Sequence, residues 1–159
     1  MERCVGTLKE WVNKSYDGPS FKSVTDMLCQ ITLGLEYLHS LNVIHYNLKP
    51  QNVLISLPYK PLDENPILKL SDFCYVMQSN KPVLKYRVGI PYWPVPELSS
   101  SDAKRSITRE VDVFLLGCLF FYVLSGGEDP FRELKRFSTK KYGQRYSRRS
   151  TSRLMCDMK

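Results

Sequence analysis

Three runs in this 159-residue chain predict a mainly α protein with a small β-hairpin. Val24, Met27, Leu28, Ile31, Leu35 and Leu38 recur at the spacing of one helix face, and the stretch 111–124 is almost wholly apolar. Between them, Val53-Leu54-Ile55 and Ile67-Leu68-Lys69-Leu70 are short aliphatic runs separated by the proline-bearing segment 57–66, the pattern of a hairpin with a long loop.

Each element has its own signal. Thr7-Leu8-Lys9-Glu10 has the form of a capping box, in which a hydroxyl and a carboxylate satisfy backbone N–H groups that the first helical turn leaves unpaired, so a short helix opens there. The periodic run extends to an amphipathic helix over 20–41, with Asn42 as its C-terminal stop. The apolar stretch 111–124 carries Asp112 near its start and ends at Gly126-Gly127. It is about fourteen residues long where a bilayer span needs about twenty, so it predicts a buried core helix and no transmembrane segment.

Composition bounds the rest. The length suits one domain. The net charge of +7 is unevenly spread: residues 1–131 hold 13 Lys/Arg against 14 Asp/Glu, and 132–159 hold 10 against 2. That basic tail, rich in Arg, Ser and Thr, predicts a disordered, solvated segment, with contact to RNA or an anionic membrane as the sharper alternative. Cys4, Cys29, Cys74, Cys118 and Cys156 show no C-x-x-C spacing and only two histidines accompany them, which argues against a zinc site. Cys29 and Cys118 fall among apolar helical residues and are expected in the core. With no recognisable secretory leader and an odd thiol count, a reducing compartment is the simplest assignment.

The chemical signal lies in three segments: His45-Tyr46-Asn47-Leu48-Lys49-Pro50-Gln51-Asn52, then Ser71-Asp72-Phe73-Cys74, then Gly89-Ile90-Pro91-Tyr92-Trp93-Pro94-Val95-Pro96-Glu97. Each alone is weak; Asn52 by itself reads as a turn residue. Together, in this order and at this spacing, they resemble the catalytic loop H-R-D-L-K-P-x-N, the metal-binding D-F-G and the end of the activation segment of serine/threonine protein kinases. The resemblance implies that Asp72 and Asn52 hold Mg²⁺ and with it ATP, and that Lys49 reaches the transferring phosphate. It makes Asp112 the buried carboxylate that holds the catalytic-loop backbone, places His45 and Phe73 beside it, and gives Glu97 a structural role.

Four departures from the pattern bear on activity. Asn47 occupies the slot of the proton-accepting Asp, and an amide can orient a hydroxyl without taking its proton. General-base contributions are typically about 10²–10⁴-fold, so severe loss of phosphotransfer is expected, without loss of nucleotide binding. Tyr46 replaces the Arg that pairs with an activation-loop phosphate. Cys74 replaces a permissive Gly, and Ile90 replaces a Thr whose hydroxyl contacts the catalytic loop. No G-x-G-x-x-G and no V-A-I-K-like lysine occurs.

The resemblance covers about residues 1–131, with 1–6 similar to the linker between kinase lobes. It implies a partial protein-kinase-like fold: the C-terminal lobe, lacking the N-terminal lobe and the last helices. Wording around the loops narrows the family. Asn52-Val53-Leu54-Ile55-Ser56, Leu70-Ser71-Asp72-Phe73, Val111-Asp112-Val113-Phe114 and the run from Gly117 to Gly127 are similar to the inositol-requiring stress-sensor kinase/endoribonucleases of the unfolded-protein response. That likeness implies a cytoplasmic place at the cytosolic face of the endoplasmic reticulum. The expected function is a pseudokinase with weak Mg-ATP binding, acting as a regulatory module that pairs with a kinase domain or full-length relative. A residual kinase using Lys49 and water, and a non-functional truncation, are the alternatives.

Overall fold

The computed structural model describes residues 3–57, 65–72, 77–78, 92–96 and 108–132. The chain divides into two compact units, Met1–Asp129 and Pro130–Lys159, and every element below belongs to the first.

Strand β1 (Cys4–Thr7) runs directly into helix α1 (Leu8–Val12), so the linker-like stretch is strand from Cys4 onward. The capping box forms as the residues demand. Glu10 N–H donates to Thr7 Oγ1 at 3.2 Å, and Thr7 N–H donates to Glu10 Oε2 at 2.7 Å. Helix α2 (Val24–Ser40) begins three residues into the expected 20–41 range plus its cap, because Ser23 is the residue whose hydroxyl accepts the Asp26 N–H, at 3.0 Å. It ends where expected: Asn42 adopts φ 57°, a left-handed turn that asparagine tolerates.

The anticipated hairpin is present. Strands β3 (Val53–Ser56) and β4 (Ile67–Leu70) pair antiparallel with Val53 opposite Leu70, and β1 adds to the other edge of β3, giving the order β1-β3-β4. Strand β2 (Val43–Ile44), just after α2, pairs antiparallel with β5 (Met77–Gln78).

Helix α2 buries Met27, Ile31 and Leu35 and covers β4. The Gln30 side chain accepts the Leu68 N–H at 2.8 Å, satisfying a donor on the outer edge of the sheet. The expectation of a core Cys29 is corrected, since it is exposed. It lies two residues from both Met27 and Ile31, about 200° round the helix from the face they share. Cys118 is buried, and burial pushes its thiol up to about 11.

Helix α3 (Arg109–Leu124) starts two residues before the predicted run and stops at Gly126-Gly127, with φ 74° and 105°. Its buried face carries Val111, Asp112, Leu115, Cys118, Leu119, Tyr122 and Val123. Val113, Phe121 and Leu124 are exposed, so the helix is only partly the buried core element expected; a run with almost no polar residue has no periodicity to distinguish its faces.

Candidate functional site: a loop pair closed around Asp72

The site is built from the top of α3 downward. Asp112 is fully buried, and its carboxylate accepts three donors: His45 N–H at 2.7 Å and His39 Nε2 at 2.8 Å on Oδ2, and Tyr46 N–H at 2.7 Å on Oδ1. Asp112 thus holds the backbone of His45 and Tyr46. The two backbone bonds hold Tyr46 at φ 65°, a conformation that costs an ordinary side chain roughly 1–2 kcal/mol. The consequence is a sharp turn directly after β2 that carries Asn47 inward.

His45 lies in the core beside Asp112, and burial lowers its pKa despite the opposing pull of that carboxylate. The ring is neutral at pH 7, with Nδ1 facing the Asn47 N–H at 3.4 Å. Tyr46 is buried, and burial raises its phenol pKa. Where a cation would answer a phosphate, this chain has a desolvated aromatic ring.

After the loop, Pro50–Asn52 makes a single 3₁₀ turn into β3. Ser71, just past β4, fixes that turn: its N–H and its hydroxyl both donate to the Asn52 carbonyl, at 2.8 and 3.0 Å. The next residue, Asp72, has φ 70°. Two left-handed turns therefore face one another, and their side chains meet. Asn52 Nδ2 donates to the Asn47 carbonyl at 2.8 Å and to Asp72 Oδ2 at 3.0 Å. Asn47 Nδ2 donates to the same Oδ2 at 2.7 Å. Lys49 is half-buried, and among the described residues its ammonium has no hydrogen-bond or ion-pair partner.

Asn47, Asn52 and Asp72 thus converge from positions up to 25 residues apart. Phe73, Cys74, Ile90 and Glu97 lie outside the described residues. Two contributors carried no clear sequence signal: His39, which reaches Asp112 across 73 positions, and Ser71, which anchors Asn52. Trp93 is fully buried, its ring centroid 6.4 Å from that of Tyr122.

The donor set fits a hard cation in part. Mg²⁺ takes one or two protein oxygens and keeps its remaining sites for water and phosphate; Asp72 offers one carboxylate, while Asn52 turns its NH₂ and not its oxygen toward it. Among the described residues no group of three or more His, Cys, Asp or Glu is placed to hold a metal.

The fold and its paired loops define a protein kinase domain. The family model of the protein kinase domain matches residues 1–155, past Phe131 where the motif resemblance ends, and the chain belongs to that family. Several of its relatives are kinase/endoribonucleases. It is 37% identical over 139 residues to the serine/threonine-protein kinase/endoribonuclease IRE2 of Homo sapiens, covering 82% of this chain and 14% of the relative. To the serine/threonine-protein kinase/endoribonuclease ireA of Aspergillus fumigatus it is 30% identical over 173 residues, covering 86% of this chain and 15% of that protein. To the sensor for unfolded proteins in the ER ire1 of Schizosaccharomyces pombe it is 32% identical over 158 residues, covering 82% and 15%. The chain therefore spans about one seventh of these relatives. Among solved structures, a chain of the yeast RNA Pol II CTD kinase CTDK-1 complex superposes with a TM-score of 0.64 at 24% identity, covering 82% of this chain and 40% of that one, a likeness of fold. No helix among the described residues is long and apolar enough to cross a membrane.

Proposed function

We propose that this chain is a kinase-family domain of serine/threonine lineage that has lost phosphotransfer and works as a binding or regulatory module. The observation that carries the reading is Asn47 in the acceptor slot with its amide donated to Asp72 at 2.7 Å. A substrate hydroxyl entering here meets an amide with no basic site comparable to a carboxylate, and loss of the general base alone removes about 10²–10⁴-fold in rate. Buried Tyr46 removes the cation through which a loop phosphate would order the site.

Asp72 would hold Mg²⁺, joined by Asn52 only if its amide turned over, and the ion when bound would supply charge neutralisation for a nucleotide's phosphates; Lys49, without a side-chain partner among the described residues, would meet a phosphate. With one carboxylate in the set, binding of Mg-ATP is weak. The name of one relative, a sensor for unfolded proteins in the ER, supports a wider role in unfolded-protein signalling at the cytosolic face of the endoplasmic reticulum, with a kinase domain of a full-length relative as partner. The basic stretch 132–159 supplies contact with an anionic surface.

The test is transfer of labelled γ-phosphate from Mg-ATP to the purified chain and to a basic protein substrate. No transfer above an Asp72→Ala control is expected. Robust transfer that Asp72→Ala abolishes would establish a working kinase instead.

A further inference from the structure

Asn47 does more than vacate the acceptor slot. An ionised carboxylate only accepts hydrogen bonds, so the contacts at Asp72 Oδ2 oblige Asn47 and Asn52 to turn their NH₂ groups toward it and their carbonyl oxygens away. Oδ2 thereby carries two N–H donors, at 2.7 and 3.0 Å. Neither amide is free to swing aside. Asn47 is 8% exposed and Asn52 6%, the second Nδ2 hydrogen of Asn52 is committed to the Asn47 carbonyl, and Ser71 clamps the Asn52 backbone. Displacing either one leaves buried polar groups unpaired.

We infer that Asn47 is a latch on Asp72: its amide N–H, with that of Asn52, occupies one of the two carboxylate oxygens available to a divalent cation, so the two loops close on each other without a cation. The electrostatics explain the direction of the effect. An aspartate at 47 would set two like charges within hydrogen-bond distance, a pairing that requires a cation or a proton between them. An amide makes the same contact attractive. The change that removes the base therefore also removes the need for a metal, and lowers the affinity for one.

The inference rests on reading these loops as a kinase-derived site, yet it concerns cation binding alone and is measured without nucleotide or substrate. The intact chain is titrated with Mn²⁺, free ion being followed by electron paramagnetic resonance, and its thermal unfolding is recorded in EDTA and in Mn²⁺. The unmodified chain should bind no more Mn²⁺ than Asp72→Asn does and melt alike in both solutions. Asn47→Asp should bind Mn²⁺ at least about tenfold more tightly, as ligand charge increases, and should melt lower in EDTA than in Mn²⁺. Asn47→Ala, which opens the latch without adding charge, should also gain Mn²⁺ affinity and keeps the test decisive if Asn47→Asp does not fold. Mn²⁺ bound by the unmodified chain as tightly as by Asn47→Asp, or no gain in Asn47→Ala, overturns the latch; either result leaves the absence of phosphotransfer standing as a separate matter.

Discussion

Replacing Asp112 by Asn keeps the shape of the side chain and removes one of its two acceptor oxygens. In the best orientation the remaining oxygen keeps His45 N–H and His39, and the new NH₂ faces the Tyr46 N–H that now sits at 2.7 Å from Oδ1, donor against donor. An unpaired buried N–H costs about 1–3 kcal/mol, and two bonds that lose their charged acceptor weaken by about 1 kcal/mol each. The loss should therefore be about 3–5 kcal/mol, a large share of the roughly 5–15 kcal/mol that holds a typical domain together. For a chain of this size that lowers the melting temperature by about 6–20 °C. Urea unfolding followed by the fluorescence of buried Trp93, with circular dichroism as the second probe, measures it directly. A loss below about 1 kcal/mol would refute the claim that this carboxylate holds the left-handed turn at Tyr46.

Two glycines on helices should be replaceable with profit. A Cβ at Gly117 would meet nothing within 4 Å, and one at Gly34 would sit 3.5 Å from Leu70, so Gly117→Ala and Gly34→Ala should each raise stability by about 0.5–1 kcal/mol in the same urea assay. Destabilisation by Gly34→Ala would show that α2 and β4 are packed more tightly than described. Acidification should act through His45. Its pKa is lowered by burial in the folded state, so above the ordinary histidine value of about 6.5 both states are neutral and stability is level; below it the unfolded chain takes up a proton that the folded one refuses, and stability falls. Melting temperatures between about pH 7.5 and 5.5 should decline, and less steeply in His45→Gln; a level profile in the unmodified chain would contradict the neutral buried ring.

Much of this was legible in residue order alone. Thr7 and Glu10 announced a cap because the capping box is a local motif, complete within four residues. The hairpin, Asn42 and Gly126-Gly127 were likewise local. The loop motifs named Asn47, Asn52 and Asp72, since the chemistry of phosphoryl transfer restricts which residue types stand in those slots. What stayed hidden is the direction of a hydrogen bond. An asparagine has both a donor and an acceptor, and only the approach of Asp72 to 2.7 Å shows that Asn47 presents its NH₂. The His39 to Asp112 contact was hidden for another reason, being made between two helices 73 positions apart. Cys29 misled because its neighbours in sequence are apolar while its neighbours around the helix are not the buried ones.

The central claim, a kinase-family domain without phosphotransfer, is tested most directly by single-turnover transfer of labelled γ-phosphate from Mg-ATP, measured side by side for the unmodified chain, Asn47→Asp and Asp72→Ala. Background rates are expected in the first and third, and little recovery in Asn47→Asp, because Tyr46, Cys74 and Ile90 still depart from the kinase pattern. Transfer by the unmodified chain well above Asp72→Ala, with a further strong rise in Asn47→Asp, would contradict it.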